Sequence, residues 1–226
     1  MANALDRLVR GRIAYWGEGQ TLLGQERFEL AQHTGGSTLR ALCEMNDIGL
    51  LRDVSIALDS KGWPLDGFCR LTRHGQVVAS SWYAFNMQQI AVESTITGMG
   101  RLSQRFDNSE PYRYLGLHPL QGDALVTCHV DNSRPGEYRV VRGLTNSISE
   151  NGDEDLRATP VNIEVAWLGH ELLEVAAGAF AARKLALRWH PDWPPAYIWV
   201  REDDCLFLKM TWEQVNTWYE LVELSE

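Results

Sequence analysis

Residues 114–131, YLGLHPLQGDALVTCHVD, have a helical pattern, whereas the segments on both sides have strand patterns. Pro119 suits the first turn of a helix, where its missing N–H would have no intrahelical partner. Apolar residues recur at spacings of three and four, which places on one helical face Leu117, Leu120, Ala124, Leu125 and Cys128. The pattern predicts a central helix over 114–131 whose apolar face is buried.

Apolar and polar residues alternate over most of the remaining chain, and turn residues interrupt the alternation roughly every 8–12 positions. Glycines such as Gly36 and Gly75 suit tight turns, because a positive φ costs them little. This pattern is typical of an antiparallel meander. The predicted strands are 27–32, 37–45, 51–58, 66–73, 76–85, 89–97, 101–106, 138–144, 161–167, 171–175, 180–187, 196–201, 205–211 and 217–224.

The expected fold follows from these two patterns, since a helix with one apolar face packs well against a curved antiparallel sheet. We expect a mainly β protein, an antiparallel meander that forms a barrel or half-barrel of ten or more strands with one central helix. Residues 4–15, inside an N-terminal segment over 1–24, have apolar residues at helical spacing among arginines, which predicts a short surface helix. The chain of 226 residues has the length of a single β-barrel-like domain over 1–226.

The composition argues against several classes of function. A formal charge of −9 disfavours binding to nucleic acid or anionic lipid, and no apolar run approaches the length of a membrane span. The sequence has no Walker loop, no G-x-G-x-x-G that opens a helix and no G-x-S-x-G elbow. The six histidines are scattered, so we expect neither a metal site nor a cofactor. The sequence leaves a homodimer open.

The N-terminus and the cysteines bear on the cellular compartment. Arginines stand where a signal peptide needs its apolar core, so we expect a cytoplasmic protein. The cysteines are far apart and form no C-x-x-C pair; they are Cys43, Cys69, Cys128 and Cys205. Three of them lie in apolar runs, which predicts reduced and buried thiols. Two disulfides are the alternative that secretion would allow.

The last third of the chain has a pattern of its own: WLGHELLEVAAGAFAARKLAL at 167–187, a tryptophan-rich hairpin up to Met210, and the ending YELVEL. In this pattern the chain resembles bacterial uncharacterised families that end with strand, glycine, strand, (P/A)-A-G-x-F and strand. Those families are similar to the open antiparallel half-barrels of periplasmic lipoprotein carriers and to lipocalin-like folds. The resemblance implies a curved sheet wrapped on a helix, with an apolar cavity able to hold a small or lipidic molecule.

Ionisable residues inside the predicted strands are candidates for a binding site. Arg40 and Glu44 share one face of their strand. Asp66 and Arg70 share one face of theirs, and Glu93 follows on the next strand but one. Such residues line up across neighbouring strands of a meander. Two arrangements fit them: exposed cross-strand salt bridges, or a polar-floored cavity in which paired charges position a ligand.

Two histidines are candidates for acid/base chemistry. His118 lies at the start of the predicted helix, where unpaired N–H groups would lower its pKa and keep it neutral. Asp123 would orient it if Gly122 lets the first turn deform. His190 in WHPDW competes for this role, with Trp189 as an aromatic wall. Each histidine also has a structural alternative to catalysis. His118 would cap the helix, and His190 would lie in a rigid loop packed onto the rim of the barrel.

The nine tryptophans are many for this length, and most must lie in the core because indole buries a large area. Trp82 shares a strand face with Ser80 and Ala84, whose small side chains leave room for an aromatic or apolar ligand. We therefore expect Trp82 to line the pocket.

Three functions fit these candidates. The first is a cofactor-independent acid/base enzyme (isomerase, hydratase, lyase or hydrolase), in which His118 is the general acid or base. In that enzyme the substrate is oriented or polarised by Arg70, Glu93 and Arg101. The second function is a binding or carrier module for an apolar or aromatic small molecule or a lipid. The third is a protein-interaction domain whose core is filled by its own side chains.

Overall fold

Fifteen β-strands form one continuous sheet in the computed structural model, which describes residues 5–226. Neighbouring strands are antiparallel except for β9 and β10, which are parallel. The strands are β1 Arg7–Trp16, β2 Leu22–His33, β3 Gly36–Met45, β4 Leu50–Asp59, β5 Pro64–Arg73, β6 Gln76–Phe85, β7 Gln89–Ile96, β8 Gly100–Asp107, β9 Tyr114–Gly116, β10 Arg139–Thr145, β11 Thr159–Val175, β12 Gly178–Arg188, β13 Ala196–Arg201, β14 Phe207–Trp212 and β15 Thr217–Ser225.

The order of the strands makes the sheet open. Strands β8 to β1 follow one another, β15 pairs with β1, and β14 to β9 continue to the other edge. Strands β8 and β9 are therefore the two edges, and no ladder joins them within residues 5–226. The predicted mainly β, antiparallel architecture of ten or more strands with one helix is confirmed, in the open form rather than as a closed barrel.

The strands form where apolar and polar residues alternate. In β4, LLRDVSIALD, Leu50, Arg52 and Val54 are buried on the inner face, while Leu51 and Asp53 are exposed. The β5–β6 turn uses His74 and Gly75, which have φ values of 48° and 79°. A two-residue turn with both φ values positive matches the twist of the flanking strands.

The central helix is shorter than predicted. Helix α1 spans Leu120–Val126 and continues as a 3-10 turn over Thr127–His129; further 3-10 turns are Glu18–Gln20 and Glu213–Val215. The prediction of helix over 114–131 was wrong at its start, because β9 pairs with β10 through Leu115 and Leu144. His118 then takes a φ of 66°, and Pro119 precedes the first helical residue. No helix within the described residues is long and apolar enough to cross a membrane.

The N-terminal segment is a strand. The helix predicted over 4–15 was wrong for the described part, and residues 1–4 lie outside the described residues. In β1, Val9 and Ile13 face the core, whereas Arg10 and Arg12 pair with glutamates of β2 and β15. Strand β1 hydrogen-bonds to β2 on one side and to β15 on the other, so tertiary pairing overrides the helical spacing.

The sheet curls around α1, which packs against β3 of one half and against β9, β13 and β14 of the other. Beyond the backbone ladders, Gln104 of the edge strand β8 reaches across to the segment before β11. Its Oε1 accepts from the N–H of Ala158 at 3.0 Å and its Nε2 donates to the carbonyl of Ala158 at 3.0 Å. This side chain bonds both backbone groups of Ala158 and links the edge to the other half of the sheet.

One pair of cysteines is oxidised. Cys128, just after α1, and Cys205, in the β13–β14 turn, form a disulfide with a Cα–Cα distance of 6.1 Å. Cys43 and Cys69 are buried free thiols. The expectation of four reduced thiols was therefore wrong for Cys128 and Cys205, because the fold brings together two cysteines that lie 77 residues apart in the sequence.

Candidate functional site

A cavity of about 400 Å³ lies inside the curl of the sheet. Leu120 and Asp123 of α1 line it, together with residues of the β13–β14 half and of the loop after β10. Its aromatic lining consists of Tyr15, Tyr114, Trp189, Trp193, Trp212 and Tyr219. The cavity thus has an aromatic part, and many of its polar groups lie in the loop after β10.

The aromatic residues form connected clusters. The ring centroid of Trp212 lies 5.1 Å from that of Trp189 and 5.6 Å from that of Trp193. The Trp212 Nε1 donates to the carbonyl of Pro194 at 3.1 Å, so its polar end is satisfied. The Tyr15 and Tyr219 rings meet edge to face at 5.1 Å. These ring contacts hold the aromatic side chains in place as an apolar wall of the cavity.

His118 lines the cavity in its neutral form. Its Nε2 lies 3.2 Å from the carbonyl oxygen of Ser147 and 3.3 Å from the Thr145 hydroxyl. Burial, reinforced by the positive charge of Arg52, lowers the pKa of His118 to about 3. With such a pKa His118 is a neutral imidazole near neutral pH and has no imidazolium proton to give as a general acid. The low pKa expected from the sequence is present, but its main cause is burial rather than the helix N–H groups.

Asp123 and Tyr114 form a buried pair. The Tyr114 hydroxyl donates to the Asp123 carboxyl at 2.5 Å. Burial raises the pKa of Asp123 to about 7, against the opposing effect of this hydrogen bond. Burial and the adjacent carboxyl also raise the pKa of Tyr114 well above its ordinary value. The hydrogen bond of Asp123 goes to Tyr114, so Asp123 does not orient His118 as expected.

Among the buried charged residues that the sequence interpretation missed are Glu26 and Arg52. Glu26 on β2 accepts hydrogen bonds from the backbone N–H groups of Leu120 at 2.6 Å and Gln121 at 3.1 Å. Arg52 on β4 is 2% exposed and lines the cavity. The signal was available: both residues occupy inward positions of alternating strands, where a charge is unusual.

The structure brings four of the predicted site residues to the cavity and leaves the others outside. His118, Asp123, Trp189 and His190 line it. Glu93 lies on the outer face, where Ser103 and then Arg105 hold its pKa at about 2, and Arg101 pairs with it at 3.3 Å. The remaining predicted residues are exposed on the same outer face: Arg40, Asp66, Arg70 and Trp82.

The outer placement follows from the register of the strands. In β6 the inward positions are Ala79, Ser81 and Tyr83, so Trp82 points outward and is 49% exposed. Glu93 pairs with Trp82 across β6 and β7 and therefore shares its face. For Glu93 the structure shows exposed cross-strand ion pairs. This is one of the two arrangements that the sequence left open. The polar-floored cavity is built from other residues.

No family model and no curated protein matches this chain. Among similar solved structures is a β-barrel-like protein of the domain of unknown function DUF1849 from Brucella abortus. It has a TM-score of 0.61 at 10% identity, over 100% of this chain and 99% of that chain. A protein from Bacteroides fragilis, assigned as exported and as having a YmcC-like fold, has a TM-score of 0.38 at 8% identity, over 96% and 95%. A protein from Parabacteroides distasonis, assigned as a lipoprotein, has a TM-score of 0.36 at 10% identity, over 99% and 97%.

The cytoplasmic location expected from the sequence is contradicted by the oxidation state of two cysteines. Cys128 and Cys205 form a disulfide, and disulfides persist in oxidising compartments and are rare in the cytosol. What the likeness at 10% identity shows is the fold: this chain shares a β-barrel-like architecture with a bacterial domain of unknown function.

Proposed function

We propose that this protein binds an apolar or aromatic small molecule in the cavity and acts as a binding or carrier module. The observation that carries the proposal is the aromatic wall around about 400 Å³ of open volume. Ligand pockets typically enclose about 300–1,000 Å³, with mostly hydrophobic and aromatic linings and a few placed polar groups. An interior of this volume also speaks against a domain whose core is filled by its own side chains.

The surroundings of His118 favour a binding function over a catalytic one. The enzyme hypothesis needs an inward His118 close to a carboxylate such as Glu93 or Asp66. His118 is inward, but Glu93 and Asp66 lie on the outer face. The low pKa of His118 and its contacts with Thr145 and Ser147 suit a structural polar group.

An acid/base enzyme remains the second candidate, and Asp123 is the residue that supports it. A buried carboxyl with a pKa of about 7 is matched to proton transfer near neutral pH. The Tyr114 hydroxyl, which donates to Asp123 at 2.5 Å, would hold this carboxyl in position. Such a site would act on a substrate held against the aromatic wall.

We also propose an extracytoplasmic location, because the disulfide between Cys128 and Cys205 requires an oxidising compartment. The protein for binding studies is therefore best produced in a bacterial periplasm, with the disulfide formed.

Native mass spectrometry, compared with the denatured mass, tests the proposal directly. A retained small molecule supports a binding role, and its mass gives the ligand class. In parallel, the neutral aromatic probe N-phenyl-1-naphthylamine is titrated while its fluorescence is recorded. We expect saturable binding in the micromolar range. Absence of both a retained molecule and saturable probe binding would contradict the proposal.

A further inference from the structure

Arg52 is a buried cation on the inner face of the sheet. One cross-strand row runs over the five strands β1 to β5 and consists of Ile13, Glu26, Cys43, Arg52 and Leu71. Arg52 is 2% exposed in this row. Removing a guanidinium from water is costly unless hydrogen bonds and an opposite charge compensate it.

The protein supplies only part of that compensation. The Arg52 Nη2 donates to the carbonyl of Asn151 at 2.7 Å and to that of Gly152 at 3.2 Å. The Arg52 Nε is buried and has no hydrogen-bond partner. Among residues 5–226, no carboxylate lies within ion-pair distance of Arg52. The buried guanidinium therefore has donor capacity and positive charge left over.

The two buried carboxyl groups of the interior are engaged elsewhere. Glu26 lies two strands away from Arg52 in the same row, roughly 10 Å along the sheet. Its carboxyl accepts hydrogen bonds from the backbone N–H groups of Leu120 and Gln121. Asp123 holds the Tyr114 hydroxyl. Neither carboxyl pairs with Arg52, so its charge is free to interact with a ligand.

Arg52 lines the same cavity as the aromatic wall. Around it the lining is polar: Ser147 and Ser149 share a hydrogen bond of 3.0 Å, and Asn151 accepts from Arg52. The aromatic clusters of Trp189, Trp212 and Trp193 form the apolar part of the lining. A cavity with a cation in one part and aromatic rings in another is complementary to an organic acid.

We infer that the ligand of this cavity is an organic acid whose carboxylate binds Arg52 while its apolar or aromatic body packs on the tryptophans. The inference rests on the proposed binding function and names the ligand class for it. An organic cation is the competing ligand, because aromatic rings and the cavity-lining carboxyls of Asp123 and Glu150 attract ammonium groups. We favour the acid because Arg52 is buried and has no carboxylate partner, whereas Asp123 accepts from Tyr114 and the exposed Glu150 accepts from Gln214.

Three probes with the same aromatic body separate these ligands: 1-naphthylacetic acid, 2-(1-naphthyl)ethanol and 2-(1-naphthyl)ethylamine. Each is titrated by calorimetry into the oxidised full chain at pH 8, where the acid is ionised. We expect the acid to bind about tenfold or more tightly than the alcohol, as suits a hydrogen-bonded charge pair. The amine is expected to bind more weakly than the alcohol.

Variants assign this preference to Arg52. Arg52→Met should bring the acid to the affinity of the alcohol, and Arg52→Lys, which keeps the charge, should retain part of the preference. Arg73→Met is the matched control. Arg73 pairs with Asp153, which lies in the same loop as Asn151, but Arg73 does not line the cavity. The loss of Arg73 therefore loosens that loop without removing a charge from the cavity.

The outcomes are distinct. Equal binding of acid and alcohol to the wild-type protein, or tightest binding of the amine, overturns the inference and leaves the proposed binding function standing. An acid preference that persists in Arg52→Met overturns the assignment to Arg52. If Arg52→Met does not fold, Arg52→Lys and the wild-type comparison decide. Failure of all three probes and of N-phenyl-1-naphthylamine overturns the inference, and if native mass spectrometry also finds no retained molecule the proposed function falls with it.

Discussion

Glu26 and Arg183 bind opposite ends of the same short helical segment. Glu26 on β2 accepts from the first N–H groups of α1, those of Leu120 and Gln121. Arg183 on β12 donates from Nη2 to the carbonyls of Val130 at 2.8 Å and Thr127 at 3.4 Å. A carboxylate at the N-terminus and a guanidinium at the C-terminus match the partial charges of the helix ends. A helix of seven residues does not form alone, so its surroundings hold it.

Loss of the Glu26 carboxyl should destabilise the protein. Glu26→Ala leaves two buried backbone N–H groups without an acceptor, and we expect it to lower the free energy of unfolding by about 2–4 kcal/mol. Glu26→Gln keeps one acceptor oxygen and should cost less. Urea unfolding measures both. Glu29→Ala on the outer face of the same strand is the control, because its exposed pair with Arg10 is worth about 0–1 kcal/mol. Equal losses in Glu26→Ala and Glu29→Ala would contradict the capping role.

Asp123 and His118 should contribute to the pH dependence of stability with opposite signs. The pKa of Asp123 is raised from 3.8 to about 7, so the folded state holds this proton more tightly than the unfolded state. The resulting stabilisation is complete below pH 3.8 and is lost as the pH rises to about 7. Asp123→Asn should therefore gain stability relative to wild type as the pH rises through this window.

For His118 the sign reverses. Its pKa is lowered from 6.5 to about 3, so the folded protein loses stability as the pH falls below 6.5. His118→Gln should gain stability relative to wild type as the pH falls through this window. Urea unfolding of wild type and both variants at a series of pH values gives the two differences. Differences that do not change with pH would rule out the shifted pKa values.

Tryptophans on the two faces of the sheet should differ in their effect on binding. Trp193 lines the cavity, whereas Trp82 lies on the outer face, and both are partly exposed to solvent. Trp193→Ala should raise the Kd for N-phenyl-1-naphthylamine about tenfold, the effect of removing a central aromatic contact. Trp82→Ala should leave it within about twofold. A larger effect at Trp82 than at Trp193 would place the ligand outside the cavity.

The disulfide should contribute measurably to stability. It closes a long loop between Cys128 and Cys205, and such cross-links typically contribute about 2–4 kcal/mol. The double variant Cys128→Ala and Cys205→Ala should lose stability by that amount in urea unfolding. Alkylation of the denatured, unreduced wild-type protein should label only Cys43 and Cys69, the two free thiols. Labelling of all four cysteines before reduction would show that the bond does not form.

Local patterns were sufficient to predict much of the fold. Period-two alternation in segments such as β4, with glycine and asparagine at the turns, identifies strands one at a time, because each strand buries its own inner face. The apolar residues around Leu120 and Ala124 likewise indicated a helix in the middle of the chain. The segment of β1 was misread, because its apolar residues fit a helical spacing and its partners β2 and β15 are not visible in its own sequence.

The candidate site was only half predictable for the same reason. His118, Asp123, Trp189 and His190 reach the cavity because they lie in or beside irregular segments with unusual composition. Glu93 and Trp82 were assigned to the wrong face, since a register shift of one residue turns every side chain of a strand over.

Local sequence was enough to predict most of the strands, their turns and a helix in the middle of the chain, because these depend on residues close together along the chain. Long-range packing, by contrast, set the pairing of β1 with both β2 and β15, the faces of the strands and the Cys128–Cys205 bond. It also decided that Arg52 lies buried in the cavity without a carboxylate partner. These features depend on the curl of a fifteen-stranded sheet, which brings together residues that no local pattern connects.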